Sequence, residues 1–254
     1  MSSSLAAQAA EPFADHTQTA AGVDPPRRRG EPSPIVPGGV ESEFVRKAAR
    51  SLGEPGLAQK YVQFAAYITK NFPDGASLGL IGIAANSQSH LALSDVVARL
   101  GIALASRGDA ETLIIDANLT SASLTERIGI GPRGGLTEAL NLGKTYHEHV
   151  TKLAFDGLSV MTIGRGVLTS FEGVESGLAS LMETMRRRYR YLLFDLGAAA
   201  DTMTRLASHV LDGVYVGIDM QSTDKLAAAV SVEELKTAGA KVLGGIICGQ
   251  PDAR

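Results

Sequence analysis

Leu91-Ala-Leu-Ser-Asp-Val-Val-Ala-Arg-Leu-Gly-Ile-Ala-Leu-Ala-Ser106, followed after a polar break by Thr112-Leu-Ile-Ile-Asp116, is the stretch that decides the fold. Its first part spaces apolar residues as an amphipathic helix does, and its second is a short apolar run that stops on a carboxylate. Unbroken runs of this kind indicate strands covered on both faces, as in a parallel sheet. The same alternation continues outward in both directions. Further strands are expected over Leu78–Ala85, Leu158–Ile163, Tyr191–Asp195, Val214–Asp219 and Val242–Cys248. Helices are expected over Phe171–Arg188, Met203–Leu211 and Thr223–Ala238. Strand and helix in alternation imply right-handed crossovers and an α/β three-layer sandwich around a mainly parallel sheet.

Ahead of the first strand, Pro73-Asp74-Gly75 reads as a turn. Two helical patterns precede it, Glu41–Ser51 and Leu57–Asn71, the second with Leu57, Tyr61, Phe64, Ala65 and Ile68 on one side. Residues 1–40 are rich in Ser, Ala, Gly and Pro and carry the cluster Arg27-Arg28-Arg29. So few large apolar groups cannot offset the entropy of ordering, and a disordered arm is expected. The organisation read from the chain is therefore an arm (1–40), a helical lead-in (41–75) and an α/β domain (76–254).

Composition narrows the function. The 254 residues are 44% apolar and 20% charged, with a formal net charge of -3, so no general attraction to nucleic acid is expected. Cys248 is the one cysteine, which rules out an internal disulfide and suits a reducing compartment. No apolar run approaches the ~20 residues of a membrane span, and the N-terminus lacks the basic-then-apolar order of a secretory leader. A cytoplasmic, soluble chain is the expectation.

In open α/β sheets ligands bind beyond the carboxyl ends of the strands. Three such ends stand out here: the segment after the first strand, Asp116 and Asp195. A strand-terminal carboxylate can hold magnesium or orient an attacking hydroxyl. It can equally cap the next turn. The two aspartates by themselves leave both readings open.

The ordered set of segments from about Leu78 to Gln250 resembles the cytoplasmic kinase domain of bacterial tyrosine kinases of the capsular and exopolysaccharide family. Those domains are grouped with the ParA/MinD-type deviant P-loop ATPases. Arg99–Gly108 with Thr112–Leu119 is similar to the family's helix followed by its aspartate-ending strand. Ile128-Gly-Ile-Gly131, Gly135–Leu140, Ser159–Gly164, Tyr189–Leu196, Asp212–Gly217 and Ala240–Ile247 match later family segments in the same order. The resemblance implies a P-loop NTPase-like fold, an ATP and magnesium site, and a membrane polysaccharide co-polymerase as partner.

Against that pattern, the phosphate loop is degenerate. Glycines let backbone N–H groups wrap phosphates, and a lysine and a hydroxyl complete the cradle. Alignment on the following helix puts Leu93 at the lysine, Ala92 at its glycine neighbour and Ser87 at the first glycine; only Ser94 keeps its type. His90 is read as a solvated loop residue, and Ser87, Ser89 and Ser94 offer the remaining hydroxyls. Asn118 and Thr120 stand for the family's Asp and Arg, Leu196-Gly197-Ala198 for its Thr-Pro-Pro, and Cys248 for an adenine-reading Asn. The C-terminal tyrosine cluster and the Glu/Arg oligomerisation motif around Gln59–Phe64 are missing.

These departures imply vestigial or structural roles for Asp116 and Asp195 and no bound cofactor. The expected function is a non-catalytic, pseudokinase-like regulator or scaffold in exopolysaccharide or capsule export. It would work at the inner membrane face through a Wzz-like co-polymerase, with oligomerisation left open. The alternative is a divergent ATP-binding tyrosine kinase or ATPase of the same pathway, with Ser94, Asp116 and Asp195 on magnesium.

Overall fold

The computed structural model describes residues 38–53, 56–83, 87–108, 110–121, 123–131, 133–142, 145–219 and 223–248. Most of the expected arm, including Arg27–Arg29, lies outside the described residues. Seven strands form one sheet: β1 (Ala76–Gly82), β2 (Thr112–Asp116), β3 (Thr151–Lys152), β4 (Leu158–Met161), β5 (Tyr191–Ala198), β6 (Gly213–Asp219) and β7 (Val242–Cys248). Their order is β3-β4-β2-β5-β1-β6-β7, and every pairing is parallel except β3 with β4. The expected mainly parallel α/β sheet is what the chain forms.

Alternating side chains feed two cores. Ile114 of β2 and Leu193 of β5 point to one face, and Leu113, Ile115, Leu192 and Phe194 to the other. The first face is covered by α1 (Glu43–Ser51), α2 (Leu57–Asn71) and α3 (Ser87–Ala105), through Val45, Ala48, Tyr61, Ala65, Ile68 and Leu100. The second is covered chiefly by α5 (Leu136–Leu142), α6 (Val174–Met185), α7 (Thr202–Val210) and α8 (Lys225–Thr237). Gly101 lets α3 lie flush on the sheet: a Cβ there would stand 2.5 Å from Ile114 Cδ1.

Some boundaries differ from the sequence reading. The first strand ends at Gly82 rather than Ala85, and α3 starts at Ser87 rather than Leu91. The helix over Phe171–Arg188 contracts to Val174–Met185, after a Gly173 in the left-handed region. The 6-residue α4 (Ser123–Ile128), α5, a single 3-10 turn at Tyr146–His149 and the two-residue β3 were not anticipated. All are short, so they carry little periodicity to read.

The chain enters the sheet earlier than expected. Val40 N–H donates to Lys152 O at 2.9 Å and Ala154 N–H to Val40 O at 2.9 Å, a parallel bridge beside β3. Ser42 then caps α1 by accepting from Val45 N–H, while its hydroxyl donates to Ile128 O.

Candidate functional site

Asp116 ends β2, whereas Asp195 lies inside β5, which continues past the expected end to Ala198; the two are paired directly across the parallel ladder. Both are buried. Asp116 is held by α4: its Oδ2 accepts from Thr125 N–H at 2.9 Å and Thr125 Oγ1 at 2.6 Å, and its Oδ1 from Asn118 N–H at 3.2 Å. Asp195 Oδ2 accepts from the Ser94 hydroxyl at 2.5 Å. Its Oδ1 is buried with no hydrogen-bond partner among the described residues.

Burial is the main cause that pushes both carboxyls above the ordinary carboxylate range. It takes Asp116 up to about 6 in spite of the Thr125 and Asn118 hydrogen bonds. For Asp195 burial comes first and the charge of Asp116 second, raising it to about 7 against the hydrogen bonds from Ser94 and the Gly197 N–H. Two carboxyls on neighbouring strands in a dry setting resist joint ionisation. A cation or a donor placed beside Asp195 Oδ1 would relieve both.

The sequence reading brought Ser94, Asp116 and Asp195 into one region, and the chain places them together. The phosphate-loop reading needs correction in its local form. Ser87 through Leu93 are the first two turns of a continuous helix, not a loop, so His90 is a helical residue as well. The side chains of Ser87, Ser89, His90 and Ala92 lie outside the described residues. Leu93 is 1% exposed and joins the core under α1, α2 and α3. Within an α-helix, N–H groups beyond the first turn are taken by carbonyls four residues back and cannot wrap an anion.

A triphosphate with magnesium therefore meets a mixed surface. The Ser94–Asp195 pair with the orphaned Oδ1 fits the neighbourhood of a divalent cation. Leu93 is turned into apolar core and offers a phosphate no cation, and only the N–H groups of the first turn of α3 are left free by the helix. Among the described residues no group of three or more His, Cys, Asp or Glu could hold a metal ion. Cys248 ends β7, with its side chain outside the described residues.

Three features escaped the sequence reading. Thr125 clamps Asp116 and also accepts from Ile163 N–H at 3.2 Å, tying the ends of β2 and β4 together. The only hint was Ser123-Leu-Thr-Glu126, a capping-box spacing that marks a helix start. Second, Gly197, at φ 74°, lies against Asn118 and would place a Cβ 2.6 Å from its Oδ1. Third, Glu138 accepts from the N–H groups of Gly135, Arg165 and Gly166, each at 2.8 Å. Partial burial works to raise its carboxyl, but these donors win and hold it down at about 2.

No protein-family model and no curated protein matches the chain. Solved structures do match. The chimeric protein CapA2B2 is 20% identical with a TM-score of 0.69, over 85% of this chain and 93% of that one. The kinase domain of the Escherichia coli tyrosine kinase ETK is 16% identical with a TM-score of 0.68, over 85% and 90%. The cell-division ATPase MinD of Pyrococcus furiosus is 19% identical with a TM-score of 0.53, over 68% and 71%. The chain thus has the fold shared by bacterial tyrosine kinase domains and ParA/MinD-type P-loop ATPases. At these identities the likeness is one of fold.

Proposed function

We propose that the chain is a non-catalytic, pseudokinase-like regulator or scaffold in bacterial exopolysaccharide or capsule biosynthesis and export. It acts with a membrane polysaccharide co-polymerase of the Wzz-like class and sits in the cytoplasm at the inner membrane face through that partner. The observation that carries this reading is Leu93, a core residue in a helical segment where a phosphate loop needs a cation and free N–H groups. A lysine on a phosphate makes charge-assisted hydrogen bonds of about 1.5–3 kcal/mol each, and nothing at this position replaces them. The fold neighbours named above support the family context, and the absence of any described helix long and apolar enough to cross a membrane is in keeping with attachment through a partner.

Thermal unfolding with and without magnesium-ATP tests it. A ligand at a hundred times its dissociation constant adds about 2.7 kcal/mol to stability; this chain is expected to show no such shift. A clear stabilisation refutes the non-binding reading.

One observation favours the second reading, a divergent ATP-binding tyrosine kinase or ATPase. Asp195 Oδ1 and the Ser94 hydroxyl keep the arrangement that a magnesium-nucleotide site uses. That reading requires phosphate release or phosphotyrosine formation that falls when Asp195 or Asp116 becomes Asn. Activity indistinguishable from background with the membrane partner present eliminates it.

A further inference from the structure

Helix α4 is too short to hold its own place. Its six residues make fewer than two turns, and a helix of that length has no stability of its own in water. Leu124 and Ile128 are buried, and polar contacts fix its two ends. At the start, Thr125 donates to Asp116 through its N–H and its hydroxyl. At the finish, Ile128 O accepts from the Ser42 hydroxyl at 2.5 Å, and Arg127 donates to Asp95 Oδ1 through Nε at 3.1 Å and Nη2 at 2.8 Å.

The finish of α4 is therefore held by α1 and α3. Asp95 of α3 also accepts from Arg99 Nε at 2.6 Å, so one carboxylate joins two guanidinium groups. Phe44 of α1 lies against both: Arg99 and Arg127 stand over its ring at 5.4 and 5.3 Å from the centroid. Each cation is attracted to the aromatic face, and Asp95 offsets the repulsion between them.

We propose that α1 is a latch on the candidate site: docked through Ser42 and Phe44, it holds α4 against α3 and keeps Thr125 on Asp116; released, it lets α4 take Thr125 away from that carboxylate. Helix α3 is the fixed member, with Val97, Leu100, Ile102 and Leu104 in the core. Helix α1 is the releasable one. Of its nine residues only Val45 and Ala48 are buried. An open cleft of about 440 Å³ runs along the seam, between Ser42, Phe44 and Lys47 on one side and Arg127, Ile128 and Gly129 on the other. So few buried apolar contacts allow a segment to open while the core stays closed.

The latch gives the site a remote control. Whatever binds or pulls the chain ahead of Glu43 bears on α1, and through α4 on Asp116, without touching the carboxylate. The coupling is reciprocal: a group that takes Asp116 from Thr125 loosens α1. It operates whether or not the site takes a nucleotide.

Amide hydrogen exchange on the full chain, read residue by residue by NMR, tests the proposal. The informative amides are Thr125, whose N–H in the first turn of α4 goes to Asp116, and Ile163, whose N–H goes to Thr125 Oγ1. Neither residue belongs to α1. Phe44→Leu keeps apolar bulk and removes the ring face, and should speed exchange at both amides about tenfold. Leu193 and Val216, in the central strands, should keep their rates. Phe44→Tyr should behave as the wild type. Arg127→Met, at a side chain 42% exposed, should act as Phe44→Leu does and decides the matter should that variant not fold. Unchanged rates at Thr125 and Ile163 overturn the proposal, because α1 is then packing alone. A rise shared equally by Leu193 and Val216 overturns it as well, since that is a loss of overall stability. Exchange in Phe44→Tyr as fast as in Phe44→Leu overturns it too.

Discussion

The first turns of α3 and the carboxylate pair carried by β2 and β5 meet at the same end of the strands and are built on opposed principles. At the first, Leu93 is withdrawn into apolar core, a burial that contributes about 1.5–3 kcal/mol. At the second, two carboxyls stay buried next to each other although burial works against their ionisation. The first region is arranged for stability, and the second is held at its expense. Local costs of that kind gather where a chain meets a ligand or a partner. The Leu93 end of this region is apolar scaffold, while the carboxylate end keeps buried groups whose charge is costly.

The strongest way to break this contrast is Leu93→Lys. A lysine here would bury an unpaired ammonium, and a loss of about 3–5 kcal/mol in urea unfolding is expected. Leu93→Met should cost less than about 1.5 kcal/mol. A Leu93→Lys variant as stable as the wild type would mean that this turn opens readily and can still serve as a loop.

Gly197→Ala is expected to cost about 1–3 kcal/mol, because the left-handed backbone and the contact with Asn118 both oppose a Cβ. Part of that cost should vanish in the Asn118→Ala background. A double-mutant cycle reads the coupling directly, and strict additivity would show that the two positions are independent.

Glu138→Gln sharpens the comparison from the other side, since Glu138 is a carboxylate whose surroundings favour its charge. A loss of about 1–2 kcal/mol near neutral pH is expected from the weakened hydrogen bonds. The folded value is depressed, so this contribution is present above the ordinary glutamate range and is lost as pH falls toward about 2. Acid titration of the wild type should therefore show a loss of stability there that the variant lacks.

The smallest effect is expected at Asp195. Its folded value and that of Asp116 are raised, so the pair's contribution is fully present below the unfolded value near 4 and is lost as pH rises through about 6 and about 7. Asp195→Asn should flatten that part of the stability–pH profile. At pH 7.5 the variant should be as stable as the wild type or slightly more so. A clear destabilisation would mean that the ionised carboxylate supports the fold.

The central sheet was readable because its strands are uninterrupted apolar runs: Thr112–Asp116 and Val242–Cys248 match to the residue. The start of α3 was not, because Ser87-Gln-Ser-His has no apolar periodicity and its helical state extends from the turns that follow. Asp116 and Asp195 were legible as carboxylates closing apolar runs, although Asp195 lies inside β5 and Ser94 about two turns into α3. Their partners were not: Thr125 sits on a helix of six residues, and the contact of Asn118 with Gly197 joins positions 79 apart that only the β2–β5 register brings together. Glu138 looks like an ordinary first-turn acid until the backbone of residues 165 and 166 folds over it.

At the far side of the sheet, the two residues of β3 run against their neighbour and Val40 lies along them. A parallel array cannot be extended past a strand this short and reversed, because an incoming chain finds neither the length nor the direction to zip onto. The protein therefore has a finished end, and any growth into larger assemblies has to be directed elsewhere on its surface.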